Sequence, residues 1–139
     1  MRHAWRLATL GAALTLVLGA VSAQAKEGHW STVAAEVVAG IDKGEKLAKD
    51  GHSDKAKDAV VNAYFDVFEE LKMEKAVRLH ISLTRTTEIE QLFEDPEEAA
   101  GTPGSAKVHP LAEELRRILR HDAGQLDRDK IAADGVSKE

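Results

Sequence analysis

YFDVFEELKMEKAVRLHISLTRTTEIEQLF, residues 64–93, decides how this chain folds. Its first five residues hold the only tyrosine and two of the three phenylalanines, and the third phenylalanine closes it. Between them, apolar residues recur at helical spacing, with carboxylates where a plain core helix would not want them. Neither glycine nor proline occurs between Gly51 and Pro96. One unbroken helix over that interval would be roughly 60 Å long at 1.5 Å per residue, too long for so small a domain. The expected break is near Glu70–Lys72, where one apolar stripe gives way to another.

Upstream, Ser53 is the expected N-cap of helix two, with Asp54 at its positive end. Ala56, Val60, Ala63 and Val67 form its inner stripe, widened by Val61, Tyr64, Phe65 and Phe68. Helix one is expected from Trp30 to Lys49, capped by Ser31, with Trp30, Val33, Val37, Ile41 and Ala48 on one face and Gly44 interrupting it. Asp50-Gly51 ends it. Downstream, helix three is expected over Met73–Glu94, with Met73, Val77, Ile81, Ile89, Leu92 and Phe93 inward. Asp95-Pro96-Glu97-Glu98 predicts a separate short turn, and Gly101–Ser105 a linker. Helix four opens at Pro110, with Leu111, Leu115, Ile118, Leu119 and Leu126 on its core side and Arg116, Arg117 and Arg120 on a solvated face. The sum is an all-α chain, a small up-down four-helix bundle.

The ends of the chain are read differently. Residues 1–25 have the form of a secretory signal peptide: Arg2 and Arg6, an uncharged apolar run over Leu7–Ala20, then Ala23-Gln24-Ala25 before the cleavage point. Residues 26–126 form the bundle domain, and 127–139 a polar, frayed C-terminal tail. Cleavage takes 25 of 139 residues and two of 19 basic side chains. The mature chain then carries 17 basic against 24 acidic residues. Such a balance argues against nucleic acid, whose phosphates call for basic patches. Nothing after residue 25 is apolar enough to span a membrane. With no cysteine, disulfides, thiolate metal sites and covalently attached haem are excluded. A metal would have to be held by His, Asp, Glu, Tyr or Met; oxygen-rich sets favour hard ions, and adding imidazole suits iron, zinc or copper.

The candidate ligands lie in and beside the opening stretch. Continued arithmetically, the stripe 56–60–63–67 reaches Glu70 and Glu74, so a straight helix would carry two carboxylates into the core. The plainer reading ends the helix there and sends both to water, or pairs Glu74 with Arg78 one turn on. Glu69, Glu70, Glu74 and His80 would gather at one bundle end if helices two and three form a hairpin. Tyr64 could add a phenolate, or simply bury its ring. His52, between Asp50 and Asp54, is better read as a loop residue. His109 and His121 have no partner by spacing. No nucleophile motif or glycine-rich phosphate loop is present, so no enzyme is expected.

Trp30 opening the first helix, DKAKDAVVNAYFDVFE at 54–69, MEKAVR at 73–78 and EIEQLF at 88–93 together give a pattern that resembles the extracytoplasmic amino-terminal domain of bacterial Ftr-type high-affinity iron permeases. The resemblance implies a helical, periplasmic domain in iron uptake, with Glu69, Glu74 and Glu90 as its acids. The permease's membrane helices and their Arg-Glu-x-x-Glu motifs do not occur in these residues. The implied role is an accessory that binds iron and passes it to a separate membrane permease or another periplasmic protein. The competing expectation is a metal-free adaptor bundle that binds a protein partner.

Overall fold

A computed structural model describes residues 27–139, and the signal-peptide reading lies outside them. The described chain is all-α. Five helices follow one another: α1 (His29–Lys49), α2 (Ser53–Asn62), α3 (Met73–His80), α4 (Leu83–Gly101) and α5 (Val108–Arg128). A π-helical segment, Ala63–Glu69, continues α2 without a gap. Helix α1 packs on α2 and α5, α2 on α4, and α4 on α5.

Helix α1 buries Trp30, Val33, Val37 and Ile41, as its periodicity predicts, and adds Ala34 and Val38. It ends in a Schellman motif: the His52 N–H donates to the Leu47 carbonyl at 2.8 Å, and Gly51 takes the left-handed conformation at φ 84°. The glycine expected only to interrupt the stripe has a packing role. A Cβ on Gly40 would lie 2.7 Å from that of Ala63, and one on Gly44 2.8 Å from Val60 Cγ2. Both positions let α1 and α2 approach backbone to backbone.

The break in the central stretch falls at residues 70–72, with Lys72 in the left-handed region at φ 67°. Just before it, the π segment changes the register. Its wider turn shows in the Glu70 N–H donating to the Phe65 carbonyl, five residues back, at 3.2 Å. The buried positions run Ala63, Phe68 and, beyond the turn, Met73, where a regular helix would bury 63, 67, 70 and 74. The five-residue step replaces Glu70 by Phe68 and Met73 in the core. The straight-helix route that would have buried two acids is thereby closed.

Helix three of the expectation is two helices. Ser82 breaks it: its extended backbone starts α4, and its hydroxyl accepts from the Arg85 N–H at 3.0 Å. Nor is Asp95–Glu98 a separate turn. Helix α4 runs through Pro96 to Gly101, tolerating the one missing N–H while the proline ring is buried. Helix α5 starts two residues before Pro110, which sits in its first turn. Gly28, not Ser31, precedes the first turn of α1, and His52, not Ser53, that of α2.

The C-terminal residues do not fray. After Lys130, left-handed at φ 55°, Ile131 and Lys138 form an antiparallel bridge. Asp134 accepts from the N–H groups of Val136 and Ser137 at 2.7 and 2.9 Å, which pins the turn between them. Ile131 is buried, and its carbonyl accepts from Trp30 Nε1 at 2.7 Å. Asp127 supplies the cap that α1 lacks locally, accepting from the N–H groups of Trp30 and Ser31 at 2.8 and 2.9 Å and from the Ser31 hydroxyl at 2.6 Å. The bond between first helix and tail was out of reach of local pattern, since Trp30 and Ile131 lie 101 positions apart.

Candidate functional site

The π segment gathers the aromatic side chains of the opening stretch. Tyr64 meets Phe65 edge-on at 4.9 Å between ring centroids, Phe93 at 5.1 Å and Phe68 at 5.8 Å, and Phe68 meets Phe93 at 5.5 Å. All three phenylalanines and the only tyrosine therefore form one cluster. Phe68 and Phe93 are buried within it, Tyr64 is half-buried, and Phe65 is 55% exposed. Extended π turns are rare and recur at functional sites, and here the turn fixes how the Tyr64 and Phe65 rings face α4.

Carboxylates from three segments act on the Tyr64 phenol: Glu90 of α4, Glu74 of α3 and Glu69 of the π segment. Burial pushes the phenol up to about 12, and the negative charges of Glu90, Glu74 and Glu69 add to the shift. At neutral pH Tyr64 is therefore a proton donor. To serve as an anionic ligand it must lose that proton to a cation strong enough to replace it.

The expected ligand residues are distributed as follows. Glu69 and Glu70 are exposed. Glu74 is half-buried, and its carboxylate accepts from Arg78 at 2.8 Å, the pairing one turn on that the sequence offers as the plain alternative. Glu90 is half-buried with no ion pair among the described residues. His80 ends α3, about 9 Å along the axis from Glu74 at 1.5 Å per residue. Its Nε2 is enclosed without a hydrogen-bond partner. The hairpin end thus does not collect Glu69, Glu70, Glu74 and His80 at one point. Among the described residues, no three His, Asp or Glu side chains are grouped so as to hold a metal ion.

Beside Tyr64, a cleft of about 380 Å³ opens between the α2–π run and α4. Val60, Val61 and Phe93 line its apolar side, Tyr64 and Phe65 its aromatic wall, and Glu90, Glu94 and Glu97 its acidic rim. The sequence gives Glu94 and Glu97 no distinction. Their spacing of four and seven residues from Glu90 is the available signal, legible only once α4 is known to run unbroken through Pro96.

Other charged residues are built into the frame. Arg116, expected on a solvated face, is buried, and its guanidinium binds Asp42 at 2.7 Å, Glu45 and Glu113. Partial burial of Glu45 works against its ionisation, yet Arg116 and His109 hold its carboxyl below the usual range. Asp122 is wholly buried, with Arg85 Nε at 3.3 Å and His121 Nδ1 at 2.9 Å. The two histidines without partners by spacing thus have carboxylate partners in space.

No helix of the described residues is long and apolar enough to cross a membrane. Comparison of the chain with protein-family models, curated proteins and solved structures returned no match.

Proposed function

We propose that this chain is a periplasmic helical accessory in iron handling, which binds the ion loosely through carboxylates and passes it to a separate membrane permease. What supports the reading is that carboxylates from three different segments, Glu90, Glu74 and Glu69, all act electrostatically on one half-buried phenol, that of Tyr64. These are the three acids that the likeness to the iron permease domain implies. Iron is the cargo here and not a resident cofactor. In the same reading the chain is a small up-down four-helix bundle, with α3 as a short bracket between the π segment and α4.

Metal titration of the chain lacking residues 1–25 tests this. Iron should raise the melting temperature, because a ligand bound only by the native state stabilises it. Glu69→Ala and Glu90→Ala should each abolish most of that rise. An unchanged melting temperature at millimolar iron defeats the reading. The competing adaptor role has its own support in the exposed Phe65, Leu79 and Leu83, at 55, 54 and 66%. An adaptor would show no metal-dependent stabilisation and would lose its partner on polar substitution of those three.

A further inference from the structure

The cleft between the α2–π run and α4 has a composition that bare metal binding leaves unexplained. A hydrated ion gains nothing from the half-buried side chain of Val61, the ring of Tyr64 or the exposed ring of Phe65. An ammonium group on a hydrocarbon chain gains from all of them. Aromatic faces attract such cations, aliphatic walls take up methylenes, and carboxylates pair with the charge. The volume, about 380 Å³, falls in the small-ligand range of roughly 300–1,000 Å³.

The charges are arranged along a line. Glu90, Glu94 and Glu97 share one side of α4, with Glu94 about 6 Å and Glu97 about 10 Å along the axis from Glu90. Glu90 and Glu94 form no ion pair among the described residues. Glu97 already holds an ammonium, that of Lys57, at 3.3 Å. The protein's own lysine thus shows the chemistry that this rim accepts and leaves the other two carboxylates open. A four-carbon diamine spans the rise between Glu90 and Glu94 with its chain against Val61 and the two rings.

We infer that this cleft binds a linear aliphatic polyamine, with the ammonium groups on Glu90 and Glu94 and the methylene chain against Val61 and the rings of Tyr64 and Phe65. The inference goes beyond the iron reading and does not depend on it. Tyr64 and Glu90 belong to both, but Phe65 and Glu94 belong to the polyamine cleft alone.

Calorimetric titration of the chain lacking residues 1–25 with spermidine, at fixed ionic strength, is the test. Saturable one-to-one binding is expected. Phe65→Ala should weaken it about threefold, the scale of an exposed cation–aromatic contact. Glu94→Gln should weaken it by a similar factor, about threefold, the scale of an exposed ion pair. Glu36→Gln, on the exposed side of α1, should leave it unchanged. Both cleft residues are solvent-exposed, so neither substitution threatens the fold, and both variants should keep any iron-dependent rise in melting temperature. Magnesium in tenfold excess at the same ionic strength should not displace the spermidine. The inference is overturned if magnesium displaces it, if Phe65→Ala binds as wild type does, or if Glu36→Gln weakens binding as much as Glu94→Gln. Tighter binding of a trilysine peptide than of spermidine also overturns it, in favour of a protein partner.

Discussion

Tyr64 is the chain's single tyrosine, so its phenol can be titrated by absorbance without interference. The expected midpoint is about 12, above the ordinary 10.0, for the burial and carboxylate reasons given above. Glu90→Gln should move it back towards the ordinary value. The shift also sets a stability window. The native state keeps the proton longer than the unfolded state does, so the stabilisation is complete below pH 10 and declines as pH rises from 10 towards 12. Denaturant melts across that interval should show the decline in wild type, and Tyr64→Phe should remove it. If iron engages the phenol, the apparent midpoint should fall sharply in its presence, because the cation replaces the proton.

Among the elements, the contact of α1 with the α2–π run is tightly constrained. Gly40→Ala places a methyl 2.7 Å from the Ala63 Cβ, at the first residue of the π segment. The expected cost is about 2 kcal/mol, as for other overpacked cores. Ala63→Gly should recover part of it, so the double mutant loses less than the sum of the two singles, which chemical denaturation can measure. The same contact shows where sequence reasoning succeeds and where it stops. The long apolar faces of α1 and α5 were legible because fully buried stripes repeat at helical period. So was the break after Glu69, because a length argument demanded one. The π turn was not legible: its buried step from Ala63 to Phe68 differs by one residue from the step to Val67, and both side chains are apolar. That one residue decided whether Glu70 pointed inward. The Ser82 break was hidden for a similar reason, since a serine inside a helix and a serine capping one look alike without the extended backbone. At the candidate site, Tyr64, Glu69, Glu74 and Glu90 could be named from sequence and family likeness as candidates only, beside Glu70 and His80. The cleft with Phe65 and Glu94 could not, because it exists only between two elements.

For the whole molecule, the C-terminal residues complete the fold. Gly135, at φ 73°, lets the tail pass so close to the turn before α3 that a Cβ there would lie 3.0 Å from the Lys72 carbonyl. Ending the chain after Lys130 removes buried Ile131 and the acceptor of the Trp30 indole. The expected loss is about 3 kcal/mol, on the scale of one buried aliphatic side chain with its hydrogen bond. Trp30, the only tryptophan of the described residues, should then emit at longer wavelength. Acid should act on the same clasp. Hydrogen bonds from Ser137 and Val136 lower the Asp134 carboxyl to about 2, from 3.8. Its contribution is therefore intact above pH 3.8 and disappears as pH falls through about 2.

The clasp also decides how the domain could be held. Glu27 lies two residues before the Asp127-capped turn, and the Glu139 N–H donates to the Lys130 carbonyl at 2.8 Å. Both ends of the described chain therefore emerge at one pole. A tension applied between them is borne first by the Asp127 cap, the Trp30–Ile131 bond and the Ile131–Lys138 bridge. The helices would feel that pull only after the latch had opened.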